Sequence, residues 1–92
     1  MGKVSVALFG NLAKIAGEKI TFVEALTLSE VLNALIAKYG EGFRNRIYDE
    51  NGRPKRFLNI YVNGKDMRFL DGLETRLNDD DKVLLVPAVG GG

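Results

Sequence analysis

The sequence predicts an α+β fold in which a mixed sheet of four or five strands packs on one main helix. An alternating apolar run opens the chain, one long amphipathic pattern occupies the middle, and an apolar strand pattern comes near the end. One helix has a single apolar stripe to bury, and the strands offer a single apolar face, so each can cover the other. The chain shows no internal repeat and no second core. We therefore expect a single domain over residues 1–87, followed by a flexible tail over residues 88–92.

Two strands are predicted in the first quarter of the chain. KVSVALF alternates, which places one set of side chains on the inner face and another on the outer face: Val4, Val6 and Leu8 against Ser5, Ala7 and Phe9. GNLAKIAG then predicts a short helical turn that Gly17 ends. KITFVEA predicts the second strand.

The main helix is predicted by TLSEVLNALIAKYG. Thr27 occupies the N-cap position, and Glu30 three residues later completes a capping-box pattern. Apolar residues recur at steps of three and four and form one stripe, which we expect to lie in the core: Leu28, Val31, Leu32, Leu35, Ile36 and Tyr39. Gly40 fits the left-handed position that closes many helices.

The second half of the chain is less regular. EGFRNRIYDENGRPKRF predicts a loop or short helix that packs Phe43, Ile47 and Tyr48 against the domain. FLNIYV predicts a third strand, and the Asn63-Gly64 pair behind it is typical of a type I′ hairpin leading into a short return strand. KVLLVP predicts the last strand, with Leu84 and Val86 facing inward and Pro87 ending the pairing.

Composition limits the chemistry that the chain can perform. Its 92 residues contain no cysteine and no histidine, which excludes disulfides, thiolate nucleophiles and imidazole acid–base catalysis. Thirteen basic and twelve acidic residues leave a net charge of +1, so charge favours neither nucleic acid nor membrane as a partner. The chain shows no signal-peptide pattern and no apolar run near the ~20 residues of a membrane span, so a cytoplasmic location is expected. Whether the chain is an enzyme stays open, and catalytic groups are expected on its partners.

The last ten residues, VLLVPAVGGG, end in three glycines. The five residues after Pro87 can extend about 17 Å, and glycine backbone passes through slots too narrow for a side chain. The terminal carboxylate is a poor electrophile and needs activation, most simply as an acyl-adenylate made from ATP. Since the sequence lacks a G-x-x-x-x-G-K-[ST] loop, we expect the chain to be the substrate of such an activation. The alternative is an inert terminus, because chain ends collect glycine.

Two charged clusters have simpler explanations than binding sites. The segment from Arg44 to Arg56 contains five basic and two acidic residues. Its local charge of +3 could steer an acidic partner or contact RNA. A solvated loop is the preferred interpretation, because no aromatic platform is interleaved. Asp79, Asp80 and Asp81 lack the glycine and bidentate glutamate of a calcium loop, so they are predicted to be turn residues and no metal site is expected.

Four stretches carry a family resemblance: KVSVALFGNLAKIAG, TLSEVLNAL, IYVNGKD and DDDKVLLVPAVGGG. Together they resemble the small, sulfur-carrying subunit of molybdopterin synthase, a ubiquitin-like β-grasp family. The resemblance implies that Gly92 is adenylated by an activating enzyme of the ubiquitin-activating type and converted to a thiocarboxylate. The tail then enters the large synthase subunit and donates sulfur for molybdenum cofactor biosynthesis. Gly91 matches the family's glycine pair, whereas Gly90 and Asp80 depart from its pattern, since Asp80 stands where a glycine is common.

A partner-binding surface is also expected beside the tail. From the facing of their strands, Phe9 and Leu85 are expected to share an outward apolar patch, and the alternative is that each is an isolated exposed apolar side chain. Further partner contacts are expected along the tail, at Pro87, Ala88, Val89 and Gly90. No cofactor is expected on this chain, and ATP is expected to be used by the activating enzyme. Three alternatives stay open: a ubiquitin-like modifier joined to lysines through Gly92, a carrier for another sulfur pathway such as thiamine synthesis or tRNA thiolation, and a β-grasp binding module with an inert tail.

Overall fold

The structure is a computed structural model that describes residues 2–87. Its elements are β1 (Lys3–Leu8), α1 (Gly10–Ala16), β2 (Ile20–Glu24), α2 (Leu28–Tyr39), α3 (Glu41–Ile47), β3 (Asn59–Val62), β4 (Lys65–Asp66) and β5 (Lys82–Val86), with short 3-10 turns at Met67–Phe69 and Gly72–Glu74. Within this described part, no helix combines the length and apolar character needed to cross a bilayer. The predicted flexible tail lies outside the described residues.

The five strands form one mixed sheet in the order β2-β1-β5-β3-β4. The β1–β5 pair is parallel, and the other three pairs are antiparallel. Buried side chains from α2, α3 and the inner face of the sheet form one core. The predicted α+β fold, a β-grasp sheet packed on one main helix, is confirmed.

Helix α2 begins as the capping pattern predicts. The Glu30 amide donates to Thr27 Oγ1 at 3.2 Å, while Glu30 Oε1 accepts the Leu26 amide at 2.8 Å, one residue before the expected partner. Four residues of the predicted apolar stripe are buried: Leu28, Val31, Leu32 and Leu35. At the other end Gly40 has φ 91° and ψ −169°, so the φ favours glycine but the predicted left-handed helical conformation is wrong.

The segment between α2 and β3 packs as expected. Phe43 and Ile47 of α3 are fully buried, and the Phe43 ring lies 5.2 Å from the ring centroid of Tyr39. The hairpin between β3 and β4 has positive φ at both Asn63 (51°) and Gly64 (87°), as a type I′ turn requires. The short helix and the hairpin are therefore confirmed.

The predicted facing of β5 is wrong. Val83 and Leu85 are fully buried, whereas Leu84 and Val86 are only half-buried. In the parallel register Val83 lies beside Val6 and Leu85 beside Leu8, so these residues share the inner face. The run VLLV is apolar throughout and gives no alternation from which the facing can be deduced. Leu85 is consequently not part of an outward patch, and Leu84 takes that face instead.

The turn before β5 uses its carboxylates to bind backbone. Asp79 Oδ1 accepts the amides of Gly2 at 2.6 Å and Lys3 at 2.9 Å. Asp81 accepts the side-chain amide of Asn63 at 3.0 Å, which joins this turn to the β3–β4 hairpin. Asp80 has φ 71°, a left-handed conformation that explains why a glycine is common at this point of the turn.

Asp80→Gly is expected to leave the fold intact and to raise the free energy of unfolding by up to about 1 kcal/mol. The substitution relieves left-handed backbone but adds chain entropy to the unfolded state, and the first effect is the larger. Urea denaturation of both proteins measures the difference. Asp79→Gly is the matched control and should destabilise, because it removes the acceptor of two backbone amides. Destabilisation by Asp80→Gly would contradict the strain argument.

Candidate functional site

The C-terminal segment leaves the sheet at Pro87, between β1 and β3. Leu8 pairs with Leu85 on one side, and Asn59 pairs with Val86 on the other. The tail therefore starts at the end of the central strand, and covalent geometry allows its five residues to reach about 17 Å. The residues predicted to react or to line the tail lie outside the described residues: Ala88, Val89, Gly90, Gly91 and Gly92.

Gly10 packs closely against this exit point. It has φ 59°, and a Cβ added there would lie 3.2 Å from Cγ of Pro87. Both the backbone conformation and the close approach favour glycine. Gly10 was not identified from the sequence, where its only signal is a glycine placed directly between a strand and a helical turn. The contact fixes Pro87 beside the start of α1.

Gly10→Ala is expected to lower the free energy of unfolding by about 1–2 kcal/mol, because it places a side chain in left-handed backbone and against Pro87. Chemical denaturation measures the loss, and amide chemical shifts of residues 84–86 should move with it. Gly17→Ala provides a control for the backbone effect alone, since φ is 77° there and nothing lies within 4 Å of the added Cβ. Equal losses and unmoved shifts at residues 84–86 would show that the Pro87 contact is unimportant.

An apolar row crosses the outer face of the sheet. Ala7 pairs with Ile20 on one side and with Leu84 on the other, and Leu84 pairs with Tyr61. Directly paired residues face the same side, so these four side chains line up across four strands. Phe22, which pairs with Ser5, extends this face along β2, and the exposed Phe9 directly follows β1. We call these six residues the outer sheet face.

The exposed fractions of the outer sheet face are high for side chains of this size. Ile20 is 59% exposed, Phe22 58% and Phe9 43%. Lys3 Nζ lies 5.4 Å from the centroid of the Phe22 ring and partly covers it. A contiguous apolar surface of this kind is typical of a site for protein–protein contact.

The sequence identified only part of this surface. The predicted outward position of Phe9 is confirmed, and that of Leu85 is wrong. Ile20 and Phe22 were missed, because the less apolar Thr21 and the smaller Val23 are the residues of β2 that turn inward. The register with β1 decides this facing, and no local pattern in KITFVE reveals it.

The groups with shifted pKa values lie in structural contacts. The Tyr39 hydroxyl bonds to Glu18 and holds the pKa of that carboxyl below its usual value, while burial and this bond raise the pKa of Tyr39. Backbone amides, chiefly that of Arg53, lower the pKa of Asp49. Over residues 2–87 no three possible metal ligands lie together. What the described part presents beside Pro87 is an exposed apolar face of the sheet.

Comparison with protein families matches residues 6–92 to the ThiS family. The chain belongs to the ThiS family. It is 42% identical over 78 residues to the sulfur carrier protein CysO of Mycobacterium tuberculosis, a match that covers 83% of each chain. The solution structure of small archaeal modifier protein 1 from Methanosarcina acetivorans superposes with a TM-score of 0.90 at 33% identity, over 100% of this chain and 98% of that one.

A third likeness concerns the fold alone. A putative molybdopterin converting factor subunit 1 from Pyrococcus furiosus matches with a TM-score of 0.75 at 24% identity, over 97% of this chain and 100% of that one. The ThiS-family chain is thus a sulfur carrier of ubiquitin-like fold. The three similar proteins are named as a sulfur carrier, a protein modifier and a molybdopterin converting factor subunit, so these names do not agree on one pathway.

Proposed function

We propose that this chain carries sulfur as a thiocarboxylate on Gly92. The observation that supports this most directly is that the central strand, β5, ends at Pro87 and is followed in the sequence by a tail with three terminal glycines. The Gly92 carboxylate attacks the α-phosphorus of ATP, and pyrophosphate leaves. A sulfide-level sulfur from a donor then attacks the carbonyl carbon of the adenylate, and AMP leaves. Since adenylation consumes ATP, we place the reaction in the cytoplasm.

The partners supply the catalytic groups, and this chain supplies a docking surface and a thin tail. The activating enzyme binds ATP, whose phosphates need cationic clamps. Docking on the outer sheet face buries Ile20, Phe22 and Leu84, which offsets the entropy lost when the glycine tail becomes ordered. Phe9 and Pro87 stand where this face meets the tail. The role of Gly91 is to pass through a slot that excludes side chains, and Ala88, Val89 and Gly90 contact the partner on the way to that slot.

For the recipient we propose the large subunit of molybdopterin synthase. Support comes from the motif of last strand, proline, two residues and terminal glycines, together with the fold likeness to the Pyrococcus protein. A second candidate, a recipient in another sulfur pathway, is favoured by the 42% identity to CysO. A third, conjugation of Gly92 to lysines of other proteins, is favoured by the likeness to small archaeal modifier protein 1.

One experiment separates the three candidates. Thiocarboxylated chain is mixed with the purified large synthase subunit and its pterin precursor, and the mass of the chain and the sulfur content of the pterin are followed. Loss of sulfur from the chain with its appearance in the pterin supports the molybdopterin role. If the chain keeps its sulfur in this mixture but releases it in a separate reaction with another acceptor, the second candidate is supported. Isopeptide bonds between Gly92 and lysines in a reaction with cell proteins support the third.

A further inference from the structure

Two phenylalanines outside the outer sheet face are the most exposed large apolar side chains of residues 2–87. Phe69 is 82% exposed and Phe57 is 68% exposed. Side chains of this size contribute heavily to binding when a partner buries them, and cost solubility when none does. We call this pair the aromatic edge.

The positions of both phenylalanines are defined relative to Asn59, the first residue of β3. Phe57 lies two residues before it, and Phe69 directly follows Arg68, whose Nη2 donates to Asn59 Oδ1 at 2.5 Å. Asn59 also pairs with Val86, the residue before Pro87. The aromatic edge therefore lies at the same end of the sheet as the tail exit, on the β3 side, whereas Phe9 lies on the β1 side.

Hydrogen bonds fix the backbone on both sides of the aromatic edge. The amide of Leu58, a buried residue, donates to the carbonyl of Lys55 at 3.1 Å and closes the turn that contains Phe57. The Arg68 amide donates to Asp66 Oδ1 at 2.8 Å, which caps the short turn that contains Phe69. Each ring is thus held exposed by an ordered turn: the turn before β3 for Phe57, and the turn after β4 for Phe69.

The Phe57 side of the aromatic edge is basic. Arg53, Lys55 and Arg56 precede Phe57, and all three are exposed. Arg68 precedes Phe69 and forms an ion pair with Asp66, whose Oδ1 lies 3.4 Å from Nε. A partner that covers the two rings would gain from carboxylates at the border of its own apolar surface.

We infer that the aromatic edge binds the enzyme that adenylates Gly92, through an apolar pocket bordered by acidic side chains. The inference rests on the proposed function. Five residues separate Pro87 from the end of the chain, so an active site holding the terminal carboxylate lies within about 17 Å of the tail exit. An enzyme that encloses the tail approaches the end of the sheet at Pro87, where Asn59 connects the aromatic edge to the tail exit. The activating enzyme is the partner required first, whichever recipient follows.

The test is steady-state kinetics of ATP–pyrophosphate exchange by the purified activating enzyme from the same organism, with the full chain as varied substrate. Phe57→Ala/Phe69→Ala is expected to raise KM about tenfold with kcat unchanged, since binding is lost and the tail is intact. Leu26→Ala is the matched control: Leu26 is 51% exposed, and it lies at the opposite end of the sheet, beside Gly2. Amide spectra of both variants establish that they fold as the unmodified chain does.

A second variant tests the charge. Arg56→Glu is expected to raise KM as well, and more at low than at high salt, because exposed charges are screened by salt.

Two results would overturn the inference: an unchanged KM for the double phenylalanine variant, or an equal rise in KM for Leu26→Ala. Adenylation itself would still be supported in either case, provided that the unmodified chain gives ATP–pyrophosphate exchange. Absence of exchange with the unmodified chain would instead refute the proposed function.

Discussion

Deletion of Gly92 is expected to abolish sulfur loading while leaving the melting temperature of the domain unchanged. The reacting carbon is the terminal carbonyl, and losing one residue withdraws it by about 3.5 Å from the activating enzyme's catalytic groups. A misplacement of even about 1 Å can cost a hundredfold in rate. Within the described residues the buried core runs from Val4 to Leu85, so the deletion is expected to remove none of it. Thiocarboxylate formation, followed by mass, and thermal unfolding are measured on the same protein.

Gly90→Ala is the control for this deletion. Gly90 stands where the resembling family often has another residue, so the variant should retain most of its sulfur loading, whereas Gly91→Ala should lose it. Loading that survives deletion of Gly92 would contradict the assignment of the reactive carbon. A fall of several degrees in melting temperature would contradict the separation of tail and core.

Truncation of the two adjacent leucines of β5 is expected to affect different properties: stability for Leu85, and partner binding for Leu84. Leu85→Ala should lower the free energy of unfolding by about 2–5 kcal/mol, because Leu85 is fully buried and its removal leaves a cavity. This is a large part of the roughly 5–15 kcal/mol that stabilises a typical domain. Leu84→Ala should change stability far less, because the Leu84 side chain is half-buried on the outer sheet face.

The readouts for the leucine pair are denaturant unfolding and the KM for the activating enzyme. Leu84→Ala should raise KM without unfolding the chain, whereas folded Leu85→Ala should bind normally. The opposite pattern, with Leu84→Ala the more destabilising variant, would mean that the inner and outer faces of β5 have been exchanged.

Sequence patterns predicted the elements whose local signal is unambiguous. KVSVALF alternates, and Val4, Val6 and Leu8 are buried as expected. The capping residues Thr27 and Glu30 mark the start of α2 within the chain's clearest periodicity. These features depend on neighbours in sequence, which is why periodicity reveals them.

Local sequence patterns could not predict features that depend on pairing between distant segments of the chain. The facing of VLLV is set by its parallel register with β1, and a shift of one residue exchanges the two faces. The contact of Gly10 with Pro87 joins positions at opposite ends of the chain. The aromatic edge likewise needs the bond between Arg68 and Asn59, which no local motif indicates. The sequence therefore predicted the tail as the candidate site, whereas the exposed apolar surfaces beside Pro87 could be located only in the fold.

The most direct test of sulfur carriage is the intact mass of the full chain after incubation with the activating enzyme, ATP and a sulfur donor. The account predicts a mass increase equal to the exchange of one oxygen for sulfur, located on Gly92 by fragmentation and absent when ATP is omitted. An unchanged mass under conditions in which the enzyme loads another ThiS-family carrier would contradict it.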